Sequence, residues 1–202
     1  MKAFQASILG AVALAIAFSA RAEDDRAKAI AMMKRDFHAQ GIAGMDRLDQ
    51  DGVQALCNRS RNDPPKPVAE RLPQDQLGSI KYPADGKFLG DWKSGEKIAQ
   101  DGRGMTWSDD GSTPNGGSCY NCHQIGPNET SFGTVGNSLR QFGKIRGDGA
   151  EMQKYVYAKI YNAKAFNLCS KMPRFGHSGT LTEAQIKDLV ALLLDPNSPV
   201  NQ

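Results

Sequence analysis

The chain has 202 residues, and its 25 Lys and Arg residues against 22 Asp and Glu residues give a formal net charge of only +3. The basic residues are scattered and nearly balanced by acids, which argues against nucleic acid as a partner. The length suits one domain of ordinary size with its own core.

The N-terminus has the features of a secretory signal peptide. Lys2 precedes an apolar run at residues 6–18, and Ala20-Arg21-Ala22 forms an A-x-A cleavage signature. We predict cleavage after Ala22 and export to the periplasm. The run has 13 residues, fewer than the roughly 20 that a spanning helix needs, so no membrane span is expected in the mature protein. A retained N-terminal anchor is the alternative.

Residues 23–83 are interpreted as an N-terminal helical extension. Helical periodicity runs from Glu23 to Gln40, and a second helical piece covers roughly Met45 to Leu56. Four closely spaced prolines then predict an extended, proline-rich linker over residues 60–83. The main domain is therefore expected at residues 84–202.

The main domain is predicted to be mainly α with long loops. A short helix within residues 91–102 is expected to start at Ser94, and another helix covers Ala150 to Asn162. The last helix begins with the capping box Thr182-Glu183-Ala184-Gln185 and ends at Asp195. Loops this long are improbable in a compact domain unless a bound group fills its centre.

The segment Cys119-Tyr120-Asn121-Cys122-His123 supplies a candidate for that group. The C-x-x-C-H pattern is a c-type haem attachment signal, in which two thiols bind the haem covalently and the histidine reaches its iron. Zinc would need two more ligands at suitable spacing, and the sequence offers no second C-x-x-C or H-x-x-x-H. A redox dithiol would be expected in a βαβ context. The sequence therefore favours one covalently bound haem c, with Cys119 and Cys122 as thioethers and His123 as an iron ligand.

A second iron ligand is expected from a distant part of the chain, and Met172 is favoured. It lies 49 residues after His123, just before the last helix, and Pro173 keeps it out of the α conformation. A methionine that only fills the core is the alternative interpretation. The other candidate ligands are His38, His177, Cys169 and the remaining methionines.

Two cysteines are left over once the C-x-x-C thiols are assigned to haem. Cys57 and Cys169 would then meet in an oxidising compartment, where unligated thiols tend to pair. We predict a disulfide between them, with a free buried thiol as the alternative.

The chain resembles known cytochromes in these features. The signal peptide, the C-x-x-C-H motif, a methionine in a loop and a closing helix are similar to class I cytochromes c. The stretch from Ile160 to Gly176, followed by Leu181–Leu189 and Leu192–Pro196, more closely resembles the SoxX family of monohaem cytochrome subunits. This resemblance covers roughly residues 92–200 and does not extend to residues 23–83.

The SoxX resemblance implies a class I cytochrome c-like haem domain in the heterodimeric SoxAX complex of bacterial thiosulfate oxidation. In that family the catalytic site is expected in SoxA, and the complex couples thiosulfate to a cysteine of the SoxYZ carrier as an L-cysteine S-thiosulfotransferase. This chain would have no catalytic residues of its own. It would relay the released electrons to a downstream acceptor cytochrome.

The resemblance also implies the roles of particular residues. Cys119 and Cys122 would form the thioethers, and His123 and Met172 would be the axial ligands. The Pro127 carbonyl would accept the ring N–H of His123, as the corresponding proline does in many c-type cytochromes; a simple turn proline is the alternative. A free-standing periplasmic electron carrier and an enzyme with an open haem position remain the other functional interpretations.

Overall fold

The computed structural model describes residues 25–202, so the predicted signal peptide at residues 1–22 lies outside the described part. Within this part the regular elements are α-helices and short 3₁₀ helices, and the only β pairing is an isolated bridge between Gln40 and Ala43. The prediction of a mainly α fold is confirmed. None of the helices described is long and apolar enough to cross a membrane.

The described chain forms two compact units that divide between Asp49 and Gln50. The first contains α1 (25–36) and the 3₁₀ helix Met45–Leu48. The sequence predicted that this helix would continue to Gln40, but α1 ends four residues earlier. Within this unit Lys34 Nζ lies 2.8 Å from a carboxylate oxygen of Asp49.

The second unit begins with α2 (Gly52–Arg59), whose start is fixed by a capping box. The backbone N–H of Gln54 donates to the Asp51 carboxylate at 2.8 Å, and the Gln54 side chain accepts from the Asp51 N–H at 2.9 Å. These two bonds satisfy donors that a helix N-terminus otherwise leaves unpaired. Asp51 also forms an ion pair with Arg174, so the start of α2 is joined to a distant loop.

The predicted extended linker at residues 60–83 is wrong, because much of it is α3 (Lys66–Gly78). Pro67 lies in the first turn, where a missing N–H costs no helical bond, and only Pro73 is inside the helix. The Asn162 side chain donates to Ser79 Oγ and to Gln76 Oε1, each at 3.1 Å. These bonds join the C-terminal end of α3 to Asn162, just after α6, within the second unit.

Helices α4 (Trp92–Gln100) and α7 (Glu183–Leu194) pack closely at the centre of the second unit. The contact is close at Gly95, where an added Cβ would overlap the Asp188 backbone carbonyl. Asp91, and not the predicted Ser94, caps α4, because its carboxylate accepts from the Lys93 and Ser94 N–H groups at 3.2 and 3.0 Å.

Two further helices, α5 (Phe142–Arg146) and α6 (Ala150–Tyr161), surround the site together with α4 and α7. The predicted helix from Ala150 is confirmed as α6, and the Thr182 capping box that starts α7 is confirmed as well. The short helix α5 was not predicted from the sequence. The side chain of Asn201 holds α5 in place, since its Oδ1 accepts the Gly143 N–H at 2.9 Å.

Candidate functional site

A cavity of about 360 Å³ opens between α4, α5, α6 and α7. Its volume is within the roughly 300–1,000 Å³ typical of cofactor sites. Cys119, His123 and Met172 all line it, although 49 residues separate the last two. Most of its other lining side chains are apolar: Ala99, Ile125, Leu139, Phe142, Ile145, Tyr155, Val156, Ile160, Phe175, Leu189, Leu192 and Leu193.

The C-x-x-C-H segment forms a tight turn at the cavity wall. A 3₁₀ helix spans Cys119–Asn121, and the Cys119 carbonyl accepts the N–H groups of both Cys122 and His123, at 3.1 and 2.9 Å. Ser118, just before it, has φ 50°, a left-handed conformation that reverses the chain. The turn places Cys119 and His123 on the cavity wall, whereas Cys122 is half-buried in the same turn.

Neither C-x-x-C sulfur is joined to another cysteine. Burial raises the pKa of the Cys119 thiol to about 12. A redox dithiol needs the opposite shift, because its attacking sulfur must be a thiolate near neutral pH. The site therefore does not favour the thioredoxin-like alternative.

The imidazole of His123 is oriented by a backbone carbonyl. Its Nδ1 lies 2.7 Å from the carbonyl oxygen of Asn137. Because a carbonyl oxygen can only accept, Nδ1 carries the proton, and in the neutral imidazole Nε2 keeps a lone pair. Such a bond fixes the orientation of the ring.

The structure places Asn137, and not the predicted Pro127, at the His123 ring. Pro127 is exposed in a turn. Its neighbour Gly126 is held by the Tyr120 hydroxyl, which accepts the Gly126 N–H at 3.0 Å. The following loop then folds back, and the Leu139 N–H donates to the Gln124 carbonyl at 2.7 Å. This closure of the loop brings Asn137 to the imidazole.

Gly136 packs directly against the imidazole ring of His123. Its N–H donates to the Cys122 carbonyl at 2.8 Å, and a Cβ at this position would overlap the His123 ring. The close approach requires glycine, because a side chain would push either the loop or the imidazole away.

Replacing Gly136 by alanine is therefore expected to displace His123 and to destabilise the protein by about 1–3 kcal/mol, the usual cost of overpacking. Urea unfolding measures the loss. Gly111→Ala is the matched control, because Gly111 is exposed and no atom lies within 4 Å of its added Cβ. Equal stability of the two variants would contradict the close packing of Gly136 on the imidazole.

Met172 reaches the cavity from a loop that is held at three points. Cys169 is joined to Cys57 by a disulfide, with the two Cα atoms 5.5 Å apart. Arg174 forms its ion pair with Asp51. Phe175 is buried in the main core. The loop is thus fixed on both sides of the half-buried Met172.

The other candidate ligands do not line this cavity. His177 is exposed beyond the loop, and His38 is exposed in the first unit. Cys169 is engaged in the disulfide and has no thiol to offer. Across residues 25–202, no group of three or more His, Cys, Asp and Glu side chains is arranged to hold a metal ion.

Several residues of the site were not foreseen from the sequence. Arg140, Arg146 and Lys159 line the cavity together with the apolar side chains. Burial lowers the pKa of the Lys159 ammonium. Asn137 contributes a backbone carbonyl, which has no signature in the sequence. Only the glycine-rich character of this loop, which suited a chain lying against a flat ligand, pointed to Gly136.

Comparison with known proteins identifies one clear relative. No protein-family model matches the chain. An uncharacterized lipoprotein of Aquifex aeolicus is 36% identical to it over 157 residues, which cover 76% of this chain and 73% of that protein. Lipoproteins are exported with an N-terminal signal, so this relative supports the export predicted from residues 1–22.

Proposed function

We propose that this chain, which belongs to the same family as the Aquifex aeolicus lipoprotein, is a monohaem c-type cytochrome that transfers electrons. One observation carries the proposal: Cys119, His123 and Met172 line a single, mostly apolar cavity. The relative's name specifies no activity, so the chemistry is argued from these residues.

The residues present fit a covalently held haem. Thiols at the C-x-x-C spacing suit the two thioethers, the His123 Nε2 lone pair suits one face of the iron, and the Met172 thioether suits the other. The apolar walls and the glycine that presses on the imidazole suit a large flat ring. When bound, haem supplies an iron that changes its oxidation state by one electron. With the mainly α frame, this donor set supports a class I cytochrome c-like domain.

The basic residues of the cavity also suit a haem. Arg140, Arg146 and Lys159 are the cationic side chains among its lining residues. A haem carries two carboxylates, and guanidinium and ammonium groups bind carboxylates through charge-assisted hydrogen bonds. We therefore assign the three cations to the carboxylate side of the ring.

The resemblance to the SoxX family supports a finer proposal. The chain would be the electron-relay subunit of a SoxAX heterodimer, with the catalytic site in SoxA and the substrate cysteine on SoxYZ. The stretch that carries the resemblance is Ile160–Gly176. Three of its residues, Ile160, Met172 and Phe175, line the cavity. In this arrangement the chain's own residues bind and orient haem and exclude water from it.

We propose the periplasm as the compartment. A signal peptide cleaved after Ala22 and a disulfide between Cys57 and Cys169 both suit an oxidising periplasm.

Covalent haem content tests the proposed cytochrome. The full chain, exported in a bacterial host that matures c-type cytochromes, is expected to gain the mass of one haem and to retain haem stain on a denaturing gel. The Cys119→Ala/Cys122→Ala variant should lose both signals, and His177→Ala, at an exposed position outside the cavity, should keep them. Wild-type protein that lacks the added mass in this host would overturn the proposal.

A free-standing electron carrier is the second candidate function. The basic residues Arg140, Arg146 and Lys159 at the cavity also suit transient docking of an acidic redox partner. Affinity purification of the tagged chain from thiosulfate-grown cells separates the two. Stoichiometric recovery with a second cytochrome supports the SoxAX subunit, and recovery as a monomer supports the carrier.

A further inference from the structure

A second cavity, of about 270 Å³, lies beside the Cys57–Cys169 disulfide, and electron transfer gives it no role. Three cationic side chains line it, those of Lys164, Lys171 and Arg174, and none of its described lining residues is acidic. Its other polar lining residues are Gln50, Gln54, Asn58 and Ser170. The cavity therefore combines positive charge with neutral hydrogen-bonding groups.

Lys164 is the least expected of these residues, because it is only 7% exposed. Its Nζ donates to the Leu168 carbonyl at 3.1 Å, whereas an ammonium has three donors. A buried cation is costly unless an opposite charge or further acceptors compensate it. Burial and the positive charges of Arg174 and Lys171 lower the pKa of Lys164, and the negative charge of Asp51 opposes this shift only in part.

The acid nearest to these cations balances only part of their charge. Asp51 forms its ion pair with Arg174, which is itself mostly buried. Asp51 also acts electrostatically on Lys164, but a single carboxylate cannot balance the three positive charges of Lys164, Lys171 and Arg174. An anion with several acceptor oxygens would compensate them and would also accept from the amide and hydroxyl groups of the wall.

We propose that this cavity binds a small tetrahedral oxyanion of the sulfate and phosphate type. Lys164 supplies a buried donor from the 3₁₀ helix Ala163–Ala165, and Lys171 supplies an exposed one. Arg174 keeps its carboxylate partner and adds positive potential. The site belongs to the chain whether or not haem is bound.

Titration calorimetry of the full-length protein with sodium sulfate, in chloride buffer of constant ionic strength, tests the site. Wild type is expected to show saturable binding at one site. Lys171→Met and Lys164→Met should each weaken it about tenfold, the loss of one charge-assisted hydrogen bond. Lys97→Met is the matched control, because Lys97 is exposed on α4, outside this cavity, and should leave the affinity unchanged.

The exposed Lys171 makes the test decisive even if Lys164→Met fails to fold. Sulfate also stabilises proteins in general by exclusion from their surface, an effect that all variants would share. An absence of saturable binding in wild type would overturn the proposal, as would equal affinities for wild type, Lys171→Met and Lys97→Met.

Met172 lines both cavities, so the anion site adjoins the proposed iron ligand. This step rests on the proposed cytochrome function. A negative charge near the iron favours its ferric state, so sulfate at a concentration near its wild-type Kd should lower the reduction potential of wild type and shift that of Lys171→Met much less. Sulfate binding without such a shift would refute this coupling, whereas a protein without haem would refute the cytochrome and leave the calorimetric test intact.

Discussion

Replacement of Met172 by alanine is expected to abolish the weak near-infrared sulfur-to-iron absorption of the ferric protein and to lower its reduction potential. The fall should be on the order of 100 mV, within the roughly 0.8 V range that axial ligands span. A neutral thioether favours the ferrous state, so its loss moves the balance toward the ferric state. Near-infrared spectroscopy and potentiometry of the purified variant measure both effects.

Met152→Ala is the matched control for this experiment. Met152 is half-buried on α6 and packs against the core, but it does not line the cavity. Its truncation should cost stability and leave the spectrum and potential close to wild type. If the near-infrared band persists in Met172→Ala, another residue is the ligand, and the assignment of Met172 is wrong.

The position of Met172 could be predicted because its constraints are local in the sequence. Pro173 limits the backbone conformation of Met172, the residue before it. Met172 also stands in the short segment that precedes the last helix. The Thr182 capping box that starts α7 is similarly a signal of four residues. Such short-range patterns are readable because neighbouring side chains and backbone N–H groups satisfy each other directly.

The partner of His123 could not be predicted in the same way. Asn137 acts through its backbone carbonyl, which every residue possesses, and it arrives there because the loop closes between Leu139 and Gln124. Helix α3 was not predicted for a related reason. Pro67 suits a helix start as well as an extended chain, and the bonds to Asn162 that favour the helix join residues more than 80 positions apart.

The three basic residues of the cavity could not be predicted from the sequence either. Arg140, Arg146 and Lys159 are separated in the sequence by loops and helices, and each is ordinary in its own surroundings. They meet only because α5 and α6 border one cavity. Side chains that cooperate through tertiary packing have no common spacing by which a sequence pattern could identify them.

Removal of the Cys57–Cys169 disulfide is expected to cause the largest loss of stability. The bridge joins residues 112 positions apart, so it restricts the unfolded chain strongly. In the chain-entropy treatment a loop of about 100 residues corresponds to about 4.7 kcal/mol, and native bridges typically contribute about 2–4 kcal/mol. Cys57→Ser/Cys169→Ser should therefore lose about 2–4 kcal/mol in urea unfolding at neutral pH.

The same variant should also loosen Met172, because the bridge is one of the three points that hold its loop. With Cys169 released, the Arg174–Asp51 ion pair and the buried Phe175 remain on one side only. Exogenous imidazole should then displace the methionine from the ferric protein at lower concentration than in wild type, as followed by loss of the near-infrared band. Cys57 is not among the residues that line the cavity of Cys119, His123 and Met172, so a more readily displaced Met172 would report the loss of the bridge itself. An unchanged imidazole titration in a destabilised variant would show that Arg174 and Phe175 suffice to hold the ligand, and that the bridge stabilises the fold without controlling the site.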